Sequence, residues 1–257
     1  MKTPITRFTN VVEDYIRYRP SYPAAVLQLM RDQFGLTSKE IIADVGSGTG
    51  LLSQLLLDNG NTVYGVEPNQ AMREAGENIL QKYSNFLSIN GTAEATTLDD
   101  ASVDVITVAT AFHWFDREKT KQEFRRILRK NGWVLLVWNV RDIEKSALLR
   151  DYEDFLLTYG NDYKESNAIT FEKTLGQDFF APNKMHTAQF PNAQQFDWIG
   201  LQGRLLSTSY ALRPGDARYE AMIDALRLLF ERHQKEGVVY FPYQTKCYFG
   251  HIHDCSA

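Results

Sequence analysis

The segment DVGSGTG at residues 44–50 combines a carboxylate with three closely spaced glycines between two apolar runs. Glycines allow backbone N–H groups and the start of a following helix to approach a ligand closely. A carboxylate beside those donors repels a diphosphate, whereas it attracts an ammonium or sulfonium group. The position of Asp44, two residues before Gly46, therefore favours a nucleoside that carries an amino acid.

The glycine spacing leaves other interpretations open. In the dinucleotide fingerprint G-x-G-x-x-G that begins at Gly46, the third glycine would stand at position 51, which is Leu51 here. A nicotinamide-dependent oxidoreductase is thus an alternative that fits the segment less well. A short strand-to-helix turn also needs glycine for steric reasons alone, with no ligand involved.

Two further acids follow apolar runs in the same way. Glu67 ends the run at 62–66, where a carboxylate can accept hydrogen bonds from both ribose hydroxyls. Glu94 lies in the segment GTAEA after the next run and could accept from an exocyclic amine. Each acid alone is equally compatible with an exposed carboxylate in a loop. Three acids at the same edge of one sheet favour a ligand site.

Alternating short apolar runs and amphipathic stretches predict the sheet and helices that position these residues. The pattern is typical of a parallel sheet with helices on both faces. The predicted strands are Ile41–Val45, Thr62–Val66, Phe86–Ile89, Val103–Ala109 and Trp133–Trp138. The predicted helices between them are Leu51–Leu57, Ala71–Lys82 and Arg117–Lys130, the last capped by Asp116.

The 257 residues are predicted to form one domain with four segments. These are an N-terminal helix or lid (1–37), a cofactor-binding core (38–140), a helical insertion (141–183) and C-terminal strands and helices that complete the sheet (184–257). The last segment holds predicted strands at 185–190 and 245–249 and helices at 198–209 and 219–235. Pro242 cannot donate to a central ladder, so its surroundings are predicted to approach the last strand rather than belong to it.

Composition and charge argue against several classes of partner. The net charge of -4 provides no attraction for phosphate backbones, and the basic run at 125–130 suits the C-terminus of a helix. We therefore expect no nucleic-acid partner and, without a long apolar run, no membrane span. Two cysteines and no apolar signal segment favour a cytoplasmic location. His251 and His253 lack further metal-ligand spacing, so no metal is expected.

Five segments together resemble the class I S-adenosylmethionine-dependent methyltransferases. The sequence is similar to the small-molecule group that includes trans-aconitate and ubiquinone-type enzymes. The segments are DVGSGTG (44–50), VEPNQAM (66–72), GTAEA (91–95), VDVITVATAFHWFD (103–116) and FRRILRKNGWVLLVW (124–138). They identify the fold and cofactor well and the substrate poorly.

The resemblance implies a Rossmann-like α/β fold, with a seven-stranded, mostly parallel sheet that has one antiparallel strand. It also implies S-adenosylmethionine across the carboxyl edge of that sheet. The implied contacts are Gly46 and Gly48 with the methionine moiety, Asp44 with its amino group and Glu67 with the ribose. The remaining implied contacts are Pro68, Met72, Ala93 and Glu94 around the adenine, and Ala109 and Thr110 beside the methionine.

The acceptor side is predicted from aromatic segments next to the glycine turn. His113 is a candidate base or substrate contact, and Trp114 could face the substrate, although residues beside other aromatic side chains more often have a structural or packing role. In relatives the N-terminal segment forms a lid, which would place Tyr15 and Tyr18 near the acceptor, but a surface helix whose tyrosines pack on the core fits the segment equally well. Arg19 could pair with the carboxylate of the cofactor or with an acidic substrate.

The sequence thus predicts methyl transfer by in-line displacement to a small molecule, with a carboxylate or hydroxyl as the acceptor. A carboxylate is already nucleophilic at neutral pH, whereas a phenol or amine needs a base. The alternatives are an NAD(P)-dependent oxidoreductase and a non-catalytic protein that binds S-adenosylmethionine. The expected assembly is a monomer or homodimer.

Overall fold

The computed structural model describes residues 12–161, 163 and 177–253, and seven strands of this part form one sheet. The strand order is β3-β2-β1-β4-β5-β7-β6. β7 runs antiparallel to both of its neighbours, and the other pairings are parallel. The strands are β1 (Ile41–Val45), β2 (Thr62–Val66), β3 (Phe86–Ile89), β4 (Val103–Ala109), β5 (Leu128–Arg141), β6 (His186–Phe196) and β7 (Val239–Gly250). The predicted fold class, Rossmann-like α/β with one antiparallel strand, is confirmed.

Helices connect and cover these strands. They are α1 (Val12–Tyr18), α2 (Ala24–Phe34), α3 (Leu51–Asp58), α4 (Gln70–Leu80), α5 (Arg117–Ile127), α6 (Ala147–Tyr159), α7 (Trp198–Leu206) and α8 (Tyr219–His233). Side-chain caps fix four of the starts, since Asn69, Asp116, Ser146 and Asp197 each accept the N–H three residues on. The cap predicted at Asp116 is therefore confirmed.

Apolar side chains form three buried clusters. One packs α2 and α3 against one face of the sheet, and another packs α5 and the segment around Phe112 and Phe179 against the opposite face. A third cluster joins α6, α7 and α8 to the start of β7 through Phe241 and Tyr243. Each face of the sheet, and the group of helices α6, α7 and α8, thus has its own buried cluster. The candidate site lies among these three clusters.

Two predicted boundaries are wrong for reasons of strand pairing. α5 ends at Ile127 rather than Lys130, because Leu128 pairs with Val103 and already belongs to β5. Pro242 lies inside β7 and pairs with Ala193 of β6. The Pro242 carbonyl accepts the Asp142 N–H, just beyond the end of β5 at Arg141. The N–H that proline lacks therefore faces a position past the last paired residue of β5, where the ladder between β5 and β7 has ended.

The other differences are extensions or lie partly outside the described residues. β6 continues from the predicted 185–190 to Phe196, with Pro191 tolerated because β6 is an edge strand. The predicted helical insertion at 141–183 contains α6, while 162 and 164–176 lie outside the described residues. Within the described part, every helix is too short or too polar to cross a bilayer. The described residues also contain no group of three or more potential metal ligands.

Candidate cofactor-binding site

A cavity of about 240 Å³ opens at the carboxyl ends of β1, β2 and β4. This is the edge at which a doubly wound sheet binds its ligand. The structure brings eleven of the predicted residues together in its wall: Tyr15, Gly46, Gly48, Glu67, Pro68, Met72, Ala93, Glu94, Ala109, Thr110 and Trp114. Residues from four separate segments of the core therefore line one space.

The glycine turn after β1 requires glycine for both conformation and space. Gly46, Gly48 and Gly50 have φ values of +70°, +57° and +83°, a region that other residues rarely adopt. A Cβ on Gly46 would lie 2.6 Å from the Cβ of Ala111. The turn thus packs its bare backbone against the loop after β4, and both surfaces face the cavity.

Four N–H groups of this turn are already bonded within the protein. Those of Gly46 and Ser47 donate to the Val66 carbonyl, at 2.8 and 3.2 Å. The Gly48 N–H donates to Oε2 of Glu67 at 2.9 Å, and the Gly50 N–H donates to the Ser47 carbonyl. A diphosphate would therefore find these four donors occupied and a carboxylate beside them, which disfavours a dinucleotide.

Glu67 lies directly after β2 and is only 9% exposed. Its Oε1 accepts the Asn69 N–H at 2.8 Å, while Oε2 accepts the Gly48 N–H. Burial raises the pKa of this carboxyl group, and the two backbone donors partly oppose the shift. The side chain is thus held firmly at the mouth of the cavity, where its remaining lone pairs can accept from hydroxyl groups.

Asp44 is placed differently from its prediction. The residue is fully buried under the turn and is absent from the cavity wall. Its Oδ2 accepts from Ser53 Oγ at 2.6 Å and its Oδ1 from Thr107 Oγ1 at 2.9 Å. Burial raises its pKa to about 6, although both hydroxyl donors lower it. Asp44 therefore supports the turn from beneath, through Ser53 and Thr107.

Thr110 has a positive φ of 56°, which is strained for a β-branched residue. Its N–H donates to the Val137 carbonyl at 2.8 Å, and its Oγ1 lies 3.0 Å from the hydroxyl of Tyr22. These bonds hold the exit of β4 in a sharp bend and tie it to the segment before α2. The strain lies at the cavity wall, as expected of a functional position.

Three further predicted residues, besides Asp44, are not part of this wall. His113 is exposed, with its ring 4.6 Å from that of Trp114. Tyr18 packs against α7 at Gly203, and the Arg19 guanidinium donates to the Ser207 carbonyl at 3.0 Å. Of the predicted acceptor residues, only Tyr15 and Trp114 face the cavity.

Four residues of the wall were not predicted. Asn69 caps α4, Thr92 precedes Ala93, and Ala111 and Phe115 flank His113 and Trp114. Asn69 carried a signal, since Asn before a predicted helix is a common cap. Glu94 is in the wall as predicted, but one of its oxygens also accepts the Asp116 N–H at 2.9 Å.

Comparison with known proteins assigns the family. A family model described as a methyltransferase domain matches residues 43–136. A Mycobacterium bovis protein named as an uncharacterized methyltransferase is 33% identical over 248 residues, 93% of each chain. This chain belongs to the class I S-adenosylmethionine-dependent methyltransferases. The predicted family and its cofactor, S-adenosylmethionine, are thus confirmed, and the oxidoreductase alternative is set aside.

Further relatives agree over shorter lengths or at the level of the fold. Two Schizosaccharomyces pombe proteins, named as a methyltransferase and as methyltransferase-like, are 30% and 33% identical over 136 residues. That alignment spans 52% of this chain and about half of theirs, 53% and 52%. A solved structure from Anaeromyxobacter dehalogenans has a TM-score of 0.69 at 23% identity, covering 92% of this chain and 99% of its own. The fold of that structure therefore matches most of this chain.

Proposed function

We propose that this methyltransferase transfers a methyl group from S-adenosylmethionine to an oxygen atom of a small molecule, either a carboxylate or a hydroxyl. The observation that carries the proposal is the cavity at the carboxyl edge of the sheet. There the carboxylate of Glu67 accepts from a glycine turn of which four N–H groups are bonded within the protein. Such a surface suits a ligand with hydroxyl groups and a positive charge rather than one with phosphates.

The proposed contacts of the cofactor follow the wall of the cavity. Gly46 and Gly48, with Ala109 and Thr110 opposite, would hold the methionine moiety. Glu67 would accept from the ribose hydroxyls, because its carboxylate is fixed beside the turn. The adenine would lie among four residues of the wall, Pro68, Met72, Ala93 and Glu94. Asp44 would act from beneath, by holding the turn through Ser53.

The chemistry then needs alignment more than acid–base catalysis. S-adenosylmethionine supplies an activated methyl group, whose bond to sulfur breaks as a new bond to the acceptor oxygen forms. Tyr15 and Trp114 line the cavity and would shape the space for that acceptor. A carboxylate loses no proton in this step, and His113 is exposed and absent from the wall. The arrangement thus favours an acceptor that needs no base.

The first experiment measures cofactor binding by isothermal titration calorimetry. We expect a micromolar dissociation constant, roughly -8 kcal/mol. Glu67→Gln should weaken binding at least about tenfold, or 1.4 kcal/mol, because the amide cannot replace the carboxylate at two backbone donors and two hydroxyls. The matched control is Glu74→Gln on the exposed side of α4, where binding should not change. Equal affinity in wild type and Glu67→Gln would contradict the assigned role.

The second experiment measures turnover. Release of S-adenosylhomocysteine is followed with a panel of small carboxylic acids, phenols and alcohols. Transfer to an acid or hydroxyl supports the proposal. Tight cofactor binding without transfer to any member would instead favour a non-catalytic protein that binds S-adenosylmethionine.

A further inference from the structure

Three arginines from distant segments converge beside the cofactor cavity. Arg19 follows α1, Arg141 ends β5 and Arg204 lies in α7. We call these three residues the arginine cluster. All three act on one phenol, Tyr210: burial would raise its pKa, yet Arg141, Arg204 and Arg19 together lower it. The three guanidinium groups therefore lie close enough together to act on the same hydroxyl group, to which Arg141 is also hydrogen-bonded.

The neighbours of the cluster are mainly aromatic and uncharged. The Arg19 guanidinium lies 4.9 Å from the ring centre of Tyr15. That of Arg141 lies 5.8 Å from the ring centres of both Tyr152 and Tyr163. Tyrosine faces stabilise cations while leaving the edges of the guanidinium groups available.

The described contacts of the arginine cluster include few negative charges. Arg141 pairs with Glu153, with Nη2 and Oε2 2.9 Å apart. In contrast, Arg19 donates to the Ser207 carbonyl and Arg204 Nε donates to the Tyr243 hydroxyl at 3.1 Å, both neutral acceptors. Among the described residues, the contacts of the cluster thus combine three guanidinium groups with one carboxylate. Two buried guanidinium groups whose described partners are neutral oxygens are costly unless an anion binds.

Several donors of the same region also lack a partner. Within the described part of the chain, Arg19 Nε, Arg141 Nε, Arg204 Nη1 and the Tyr152 hydroxyl are buried without a hydrogen bond. Arg204 is only 5% exposed, so water does not readily compensate for the missing bond. Buried polar groups are nearly always bonded in folded proteins. A carboxylate has two oxygens that can accept about four such bonds.

The cluster adjoins the cavity through Tyr15. The ring of Tyr15 lies in the cavity wall, while the Arg19 guanidinium lies over the same ring. Tyr22, three residues beyond Arg19, bonds to Thr110, which is also in the wall. An anion bound at the cluster would therefore lie behind Tyr15, on the side where β4 and β5 end.

We propose that the arginine cluster binds a carboxylate of the methyl acceptor, so that the acceptor is a small acid held by one carboxylate while a second oxygen group faces the cofactor. The inference rests on the proposed function and specifies its substrate class. Where the second group is also a carboxylate, its oxygen bonds to the methyl carbon and the carbon–sulfur bond breaks. The sulfur keeps the electron pair, and the product is a methyl ester with no proton released.

The test uses the full chain saturated with S-adenosylhomocysteine, which prevents turnover. Thermal shift and calorimetry are carried out with succinate, glutarate and tricarballylate, and with dimethyl glutarate as the uncharged analogue. We expect at least one acid to bind and protect the protein, and the diester to have no effect. Arg204→Met and Arg141→Met should weaken acid binding at least tenfold. The control is Arg227→Met, an exposed arginine on α8 that contacts Trp198 and Glu231.

Stability separates this role from a purely structural one. Removing an unpaired buried cation should leave the melting temperature of Arg204→Met without ligand unchanged or higher. A large fall in that temperature, or no protection of the wild type by any of the three acids, would overturn the inference. Equal protection by the diester would do the same.

Cofactor binding provides the independent readout. Arg204→Met and Arg141→Met should bind S-adenosylmethionine with wild-type affinity. A loss of that affinity would assign the cluster to the carboxylate of the cofactor and overturn the inference. If the wild type itself fails to bind S-adenosylmethionine, the proposed function fails, whatever the acids do.

Discussion

The cofactor cavity and the arginine cluster are neighbours, but they are built in opposite ways. The cavity comes from short segments at the ends of adjacent strands, and its glycine turn bonds its own N–H groups. The cluster combines residues 19, 141 and 204 and leaves buried donors without partners. The hydrogen bonds of the glycine turn are therefore formed before a ligand binds, whereas the buried donors of the arginine cluster need an anion to accept from them.

Gly46→Val should show the largest effect on the cavity side. A branched side chain at φ +70°, with its Cβ 2.6 Å from that of Ala111, would displace the turn. We expect S-adenosylmethionine affinity to fall at least about a hundredfold, or 2.7 kcal/mol. Gly237→Val is the control, because Gly237 has φ +81° but open space around its Cβ position. Calorimetry of both variants tests this, and similar affinities would show that the turn is not the cofactor site.

Gly203→Ala should damage the cluster side more than the cavity side. Its Cβ would lie 2.0 Å from Cε2 of Tyr18, so the segment that carries Arg19 must move away from α7. We expect acid binding to weaken about tenfold, or 1.4 kcal/mol, with a smaller change for S-adenosylmethionine. Gly200→Ala on the same helix is the control, since its nearest contact is 3.1 Å. A larger loss of affinity for S-adenosylmethionine than for the acids would show that Gly203→Ala damages the cavity more than the arginine cluster.

Asp44→Asn tests whether the buried, ionised carboxylate of Asp44 destabilises the folded protein on the cavity side. The folded-state pKa of Asp44, about 6, lies above its usual value of 3.8, so its contribution to stability is present at acid pH and lost as the pH rises through about 6. The amide does not ionise. We expect Asp44→Asn to be more stable than wild type by roughly 1 kcal/mol at pH 7.5, with the advantage gone near pH 4. Chemical denaturation at both pH values measures it, and a constant difference would contradict the shift.

His113→Ala should show the smallest effect. The side chain is exposed and outside the cavity wall, and a carboxylate acceptor needs no base. We expect kcat to change less than about threefold, with the same pH profile. A hundredfold loss together with the disappearance of a titration near neutral pH would restore the predicted role as a base.

The sequence predicted the cavity well because its residues lie within a few positions of strand ends. Periodicity located β1, β2 and β4, and the types of residue that follow these strands predicted which positions line the cavity. It could not show which way Asp44 points, since a strand-end acid can face the ligand or the layer beneath. The local pattern at 128–132 was also misinterpreted, because the pairing of Leu128 with Val103 overrides helical preference.

The arginine cluster was almost invisible in the sequence. Arg19 was noted beside aromatic residues, but Arg141 and Arg204 carried no local signal. Their convergence depends on how α1 and α7 pack, including the contact between Tyr18 and Gly203. Such contacts join residues more than a hundred positions apart, and neither spacing nor periodicity reports them.

The bonded glycine turn also has a kinetic consequence. A loop that is shaped during folding loses little further entropy when its ligand docks, so association does not wait for the loop to order. S-adenosylmethionine should therefore bind with a rate set mainly by diffusion and by access past Tyr15. Acids that bind behind Tyr15 would then lower the dissociation rate of S-adenosylmethionine more than its association rate.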